Sequence, residues 1–353
     1  MNYIIAFDVE GPIASPDFDF TWLCLEHTSK QFYEKIKLFD EYDDLRWMRE
    51  RDKRGRKHST GTTPLVSLLA AACEGFGDIQ LKEIAREKLK LSNGASELLK
   101  WLIRERGIMP YLITSSYPAV SLILGRKFNI PSSHIYCAGN QLSRAELFKF
   151  DRNPNFELEL KRRSPMELWS RKQTEVARFL SEYLENCIEL RNCYIQGKNH
   201  SHIQEYRALL RKQRKIYQGV KDDELRTSLI ELILKQRGVM GGHNKKRVLE
   251  KLSPNPRYAI YIGDGIVDAD CLEYASFGIA INCVNRFALL SCKFNIATGN
   301  EANLIPILEE ILDGRFNLEK IHSSDELTIF PPSTIRANFE EVRRVNSYYR
   351  ALL

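Results

Sequence analysis

At 353 residues the chain is longer than one ordinary domain, so a core carrying one or two inserted units is expected. Hydrophobic residues (43%) suffice for a sizeable core and charged residues (28%) are at the level of a soluble protein, while a mean hydropathy of −0.35 and the lack of an apolar run of bilayer length argue against a membrane protein. The net charge of +6 is mild and suits anionic substrates; much of the excess lies between Lys149 and Lys251, in a helical pattern whose charged face reads as solvated, so nucleic acid is not the expected partner.

Met1–Glu10 carries acid almost at once and lacks a basic start followed by an apolar stretch, so it does not read as a secretory signal. It reads as a strand, Tyr3–Phe7, that stops at Asp8-Val9-Glu10-Gly11-Pro12, where glycine and proline disfavour continuation. From Phe18 to Leu91 the pattern is mostly helical, with helices expected over Phe20–Phe39 and Leu81–Leu89. After the break at Ser92-Asn93-Gly94, Ala95–Arg106 presents Leu98, Leu99, Leu102 and Ile103 on one helical face. Met109–Ile113 is a second strand, ending in Thr114-Ser115-Ser116; a helix over Pro118–Phe128 and a third strand over His134–Ala138 follow.

From Phe148 to Arg237 the pattern is helical and heavily charged, with a turn at Asn153-Pro154-Asn155 near its start. A glycine-bearing loop, Gly238–Asn244, leads to a helix over Lys245–Leu252 and a fourth strand, Tyr258–Ile262, ending in Gly263-Asp264-Gly265. Ala269–Ala275 reads as a helix, Gly278–Ile281 and Asn295–Ala297 as strands, Asn303–Leu312 as a helix and Ser333–Leu353 as a closing helix. The eight cysteines are scattered without a CxxC pair, so no zinc site of the usual spacing is expected and a reducing cytoplasm is the simplest home.

Strands alternating with helices predict a Rossmann-like α/β core built on a parallel sheet. In such sheets ligands bind beyond the carboxyl ends of the strands, and here three strands end in Asp8, Thr114 and Asp264. Two carboxylates from different strands suit magnesium, which takes one or two carboxylates, waters and a substrate phosphate. The hydroxyl and amides of Thr114-Ser115 can hold phosphate oxygens, and a lysine opening a helix, Lys245 or Lys246, can neutralise charge. A carboxylate nucleophile needs no base for its attack; the leaving group needs an acid, and Glu10 stands two residues on.

This order of motifs resembles the haloacid dehalogenase (HAD) superfamily. Its features are a strand followed by DxD (here Asp8-Val9-Glu10-Gly11), a strand ending in Ser or Thr (Leu112-Ile113-Thr114-Ser115), a lysine opening a helix (Lys245 in Asn244-Lys245-Lys246-Arg247) and GDGxxD (Gly263-Asp264-Gly265-Ile266-Val267-Asp268). The run Val9–Pro12, Tyr42-Asp43-Asp44-Leu45, Thr114–Tyr117 and Ala280-Ile281-Asn282 leading to Arg286-Phe287-Ala288 look like an archaeal family of predicted HAD phosphatases, some labelled energy-converting hydrogenase A subunit R. The resemblance implies a magnesium-dependent phosphohydrolase (Mg2+ as cofactor, a small phosphorylated molecule as substrate). It implies Asp8 as nucleophile and metal ligand, Glu10 as acid/base with its carbonyl on the metal, Thr114 and Ser115 on phosphate, Lys245 as the charge-neutralising residue, and Asp264 and Asp268 at the metal. Glu10 departs from the usual Asp by one methylene and Val267 from a common polar residue, which puts leaving-group protonation and a hydrogen bond near the metal in question.

Other readings stand beside these. Thr114 and Ser115 can simply cap the next helix, Asp268 can cap the helix at Ala269, and His200-Ser201-His202 reads as solvated surface. The basic run Arg46, Arg49, Arg51, Lys53, Arg54 and Arg56 reads as a mobile solvated loop, or as a contact for an anionic substrate. The expected organisation is a core of residues 1–17, 92–147 and 238–318, a helical cap over 18–91, a second, charged helical insertion over 148–237 and a C-terminal segment over 319–353. The alternative function is a non-catalytic HAD-fold binding or assembly protein that uses the basic insertion as its partner surface; a third reading keeps the enzyme but transfers the phosphoryl group to another acceptor.

Overall fold

The apolar runs of the sequence become the strands of one sheet. A computed structural model describes residues 3–50, 59–138, 165–199, 203–236, 238–318 and 326–353. Its seven strands are β1 (Ile4–Phe7), β2 (Tyr111–Ile113), β3 (Ile135–Tyr136), β4 (Ala259–Gly263), β5 (Phe277–Ile281), β6 (Phe294–Thr298) and β7 (Leu327–Phe330). They run in the order β3-β2-β1-β4-β5-β6-β7. All neighbours are parallel except β6 and β7. Every residue of β4 and β6 is buried, and β4 accordingly reads as a continuous rather than alternating apolar run. The fold is Rossmann-like α/β, as the sequence predicts.

The chain builds outward from β1 to β2 and β3, then crosses back to lay β4 on the other flank of β1. The switch point therefore lies at β1 and β4, whose register pairs Phe7 with Ile262. Asp8 extends that ladder by one bond, its N–H donating to the Ile262 carbonyl at 2.9 Å. Phe7 also pairs with Leu112 on the β2 side, so the ends of β1, β2 and β4 share one edge.

Several boundaries differ from expectation. The helix expected over Phe20–Phe39 is broken: Phe20–Thr28 ends at Ser29, a short 3-10 turn covers Lys30–Phe32, and a second helix runs over Tyr33–Glu50. Ser29 turns its hydroxyl away to the Ala70 carbonyl at 2.6 Å, a tertiary bond that local periodicity does not reveal. The helix beginning at Ala95 finishes in a π-helical turn over Trp101–Glu105. The closing helix is two helices, Pro332–Ala337 and Phe339–Arg350, and β7 before them was not foreseen. β7 is an antiparallel edge strand with only its last residue buried, so it lacks the buried apolar run that marks β1 and β4.

The residues after β1 and those after β3 merge into one helical layer. Helix Gln173–Ile195 packs along Tyr33–Glu50, Thr63–Cys73 and Gln204–Gln218. Aromatic rings stitch the two inserted segments together: Phe39 meets Tyr183 at 5.8 Å and Tyr42 meets Tyr194 at 5.9 Å between centroids, while Phe179 meets Tyr217 at 5.1 Å within the second insertion. The side chains of this layer and those on one face of the sheet form a single hydrophobic cluster. The turn at Asn153–Asn155 and the pair His200 and His202 lie outside the described residues, as do Arg51, Lys53, Arg54 and Arg56. All eight cysteines are free thiols. No helix among the described residues is long and apolar enough to cross a membrane.

Candidate active site

The site grows from the ends of β1 and β4. Asp8, 3% exposed, directs Oδ1 back to the Val9 N–H at 2.7 Å and Oδ2 to Lys245 Nζ at 2.8 Å. Lys245 is completely buried in the first turn of helix His243–Leu252. Its ammonium also meets Asp268 Oδ1 at 2.7 Å. Burial alone would lower the Lys245 pKa, but Asp268 and Asp8 together hold it above its ordinary value. Lys246, the sequence's other candidate, lies over the Tyr274 ring at 5.7 Å and near Glu250.

Asp268 has all its acceptor positions in use. Lys245 and the Tyr261 hydroxyl (2.6 Å) donate to Oδ1, while the Asp264 and Gly265 amides donate to Oδ2 at 3.1 and 3.0 Å. Its side chain does not cap the helix at Ala269; it closes the loop after β4 and aims the lysine. Asp8, Asp264 and Asp268 each bring a carboxylate oxygen within 4.8 Å of the others. This hard-oxygen set fits a magnesium-sized cation, with Asp8 and Asp264 supplying the accessible carboxylates because both line the cavity. Burial pushes the Asp8 carboxyl up to about 7, with Asp268 adding to the shift and Lys245 opposing it. Burial likewise lifts Asp264 to about 6 against the pull of Arg350. The three carboxylates of Asp8, Asp264 and Asp268 outnumber the two cations paired with them, Lys245 and Arg350, and a bound cation relieves that excess.

Gly11 has φ +97°, and a Cβ there would fall onto the Asp264 carboxylate. Glycine at this position is what lets the loop after β1 lie against the loop after β4. Glu10 points Oε1 across the site, accepting from the Ser116 hydroxyl at 2.7 Å and the Phe20 N–H at 3.2 Å. It thereby touches the loop after β2 and the start of the first cap helix. Burial holds its carboxyl well above the usual glutamate value; nearby Asp19 adds to this, and Ser116 opposes it.

Thr114 and Ser115 separate in role. Thr114 is fully buried and its Oγ1 accepts the Ser116 N–H at 3.1 Å, whereas Ser115 lines the cavity. Neither caps the following helix, whose N-cap is Tyr117.

The cavity in front of these residues holds about 230 Å³. Its far wall comes from the helical layer, with Phe18, Asp19, Trp22, Asp40, Asp44 and Thr60. Burial lifts Asp40 to about 6 and Asp44 well above its ordinary value. Tyr42 and Asp43, from the same sequence run, turn inward; Asp43 accepts the Thr62 N–H at 2.9 Å. Arg46 and Arg49 are not on the wall. Arg350, Asp19 and Asp40 line the site without a sequence signal that singles them out, and Ser116 reads only as part of the polar run after β2.

No family model and no curated protein matches the chain. Among solved structures it is similar to gene product AF1437 from Archaeoglobus fulgidus. The TM-score is 0.62 at 17% identity, over 99% of this chain and 96% of that one. The likeness spans both helical insertions and the C-terminal helices as well as the sheet, and it speaks to the fold alone.

Proposed function

We infer that the chain is a magnesium-dependent phosphohydrolase of the HAD type, cleaving a phosphomonoester through an aspartyl-phosphate on Asp8. The observation that carries this reading is the pairing of Asp8 and Asp264 at neighbouring strand ends, with the buried Lys245 ammonium 2.8 Å from Asp8 and Glu10 on the same cavity. Asp8 attacks phosphorus in line, the ester oxygen leaves, and Glu10 protonates it. Glu10 then takes a proton from the water that hydrolyses the aspartyl-phosphate. Lys245, aimed by Asp268 and Tyr261, offsets negative charge on Asp8, and Ser115, on the cavity wall, would donate to a phosphoryl oxygen. Magnesium held by Asp8 and Asp264 would supply further electrostatic stabilisation of the transferring group. The helical layer excludes bulk water.

The binding-protein reading drew on the charged insertion, yet Phe179, Tyr183 and Tyr217 of that insertion are buried in the cap. No observation favours it over hydrolysis.

The deciding assay is p-nitrophenyl phosphate hydrolysis with and without magnesium. Wild type should release nitrophenolate only with magnesium, and Asp8→Asn should lose at least about 100- to 1000-fold in rate, the scale set by one key electrostatic group. Equal activity of folded wild type and Asp8→Asn would remove Asp8 as nucleophile.

A further inference from the structure

The cavity wall is heavily acidic. Asp8, Glu10, Asp19, Asp40, Asp44 and Asp264 all line it. A phosphomonoester dianion entering such a space needs protein cations as well as a metal. Lys245 is fully buried behind Asp8, with both of its contacts given to carboxylates, and it is not on the wall. Among the described lining residues, Arg350 is the one lysine or arginine.

Arg350 reaches the cavity from the far end of the sequence. It closes helix Phe339–Arg350, which is fastened to the core rather than loosely apposed. Val342 and Asn346 are fully buried. Asn346 Nδ2 donates to the Cys283 carbonyl at 2.6 Å and its Oδ1 accepts from Asn295 of β6 at 2.9 Å. Past the helix, Asn93 Nδ2 donates to the Leu352 carbonyl at 3.1 Å. The guanidinium is thus delivered to a defined place, with one N–H on Asp264 Oδ2 at 2.8 Å. Its side chain remains about a third exposed, at 32%. The planar fork carries five N–H donors and suits phosphate oxygens in pairs.

We propose that Arg350 is the cationic side chain of this chain that binds the phosphoryl oxygens of the substrate, alongside Ser115, brought to the site by the C-terminal helix. The assignment rests on the phosphohydrolase reading. In the free protein the guanidinium lies against Asp264. A cation held by Asp8 and Asp264 would compete with the guanidinium for the Asp264 carboxylate, which would leave the N–H donors of Arg350 for a phosphoryl oxygen in the cavity that both residues line. Arg350 is then a substrate-binding residue, while Asp268 and Tyr261 position Lys245.

The test compares full-length wild type, Arg350→Ala and Arg350→Lys. Calorimetry measures binding of inorganic phosphate at saturating magnesium and, separately, of magnesium alone; thermal melts monitor the fold. Arg350→Ala should weaken phosphate binding by about 10- to 100-fold, as expected for losing hydrogen bonds to a charged group. It should leave magnesium binding at least as strong, and should raise KM for p-nitrophenyl phosphate more than it lowers kcat. Arg350→Lys should recover part of the phosphate affinity. Unchanged phosphate affinity in a folded Arg350→Ala protein overturns the proposal while leaving the phosphohydrolase reading intact. So does a loss of magnesium binding and thermal stability in both variants, which would make Arg350 a structural clamp on Asp264. If wild type neither binds phosphate nor hydrolyses the ester, the underlying reading falls and takes this proposal with it.

Discussion

At the scale of single residues, buried charge is the main currency of the site, and each buried charge except one has partners in view. Lys245 has two carboxylates, Asp268 four donors and Asp264 an arginine. Glu301 is different. It is fully buried, and neither carboxylate oxygen has a hydrogen-bond partner among the described residues. Burial holds its carboxyl well above the ordinary 4.5, with Asp264 adding to the shift. Folded protein therefore keeps a proton on Glu301 at pH values where unfolded chain has released it. Its contribution to stability falls as pH rises above the ordinary value of 4.5, and continues to fall until the folded carboxyl ionises in turn. Glu301→Gln should remove that loss. Urea midpoints of variant and wild type should diverge in the variant's favour as pH rises, and converge in acid; a constant offset would mean that Glu301 is not titrating with folding.

At the scale of elements, the sequence revealed what is encoded locally and hid what is encoded across the fold. The helix Pro118–Phe128 has the bounds that its proline start and apolar spacing indicate. Asp8, Thr114 and Asp264 could be placed together because each follows a compact apolar strand, and parallel strands bring such ends to one edge. The difference between Thr114 and Ser115 could not be read, because it depends on which of two adjacent side chains faces the cavity. The break at Ser29 depends on the Ala70 carbonyl, distant in the chain. Arg350 stands 86 residues from Asp264, and nothing in the local pattern of a charged amphipathic helix marks one arginine among several.

A second long-range element joins the cap to the lysine helix. Gln236 and Ser59 exchange backbone and side-chain hydrogen bonds at 2.7 and 2.9 Å. The Ser59 hydroxyl donates to the Gly241 carbonyl and accepts the Asn244 N–H. Gly241 packs so tightly here that a Cβ would strike the Thr60 carbonyl oxygen. Gly241→Ala should cost about 1–3 kcal/mol, the usual penalty of overpacking, seen as a lower urea midpoint. Because the same loop leads into Lys245, kcat should fall as well. A stable variant with full activity would mean that the two segments do not constrain each other.

At the scale of the whole molecule, the sequence suggested two separate helical insertions, whereas their side chains form one layer continuous with one face of the sheet. Aromatic contacts such as Phe39 with Tyr183 and Tyr42 with Tyr194 are the physical reason; they pair residues far apart in the chain, which single-segment periodicity cannot couple. A shared core predicts cooperative loss of both units. Trp22, Trp47 and Trp169 lie in or beside the helical layer, and Trp101 lies in the π-helical turn that ends the helix from Ala95. Urea unfolding followed by fluorescence of single-tryptophan variants in either place should coincide with loss of helical circular dichroism. An earlier transition for the layer's tryptophans would show that it folds as a separate unit.

The bonds between Ser59–Thr62 and the loop from Gln236 to Asn244 also bear on how this architecture can be recombined. A helical insertion is often treated as a cassette, exchangeable at its two junctions to alter specificity. Here one junction runs directly into the turn that presents Lys245, and that turn is in register with a stretch belonging to the other insertion. A graft cut at the borders of either helical segment would separate the two hydrogen-bonded segments of this latch and misplace the lysine. Crossover points that keep residues 59–62 and 236–244 from the same parent preserve the latch, so the two insertions should be inherited together or not at all.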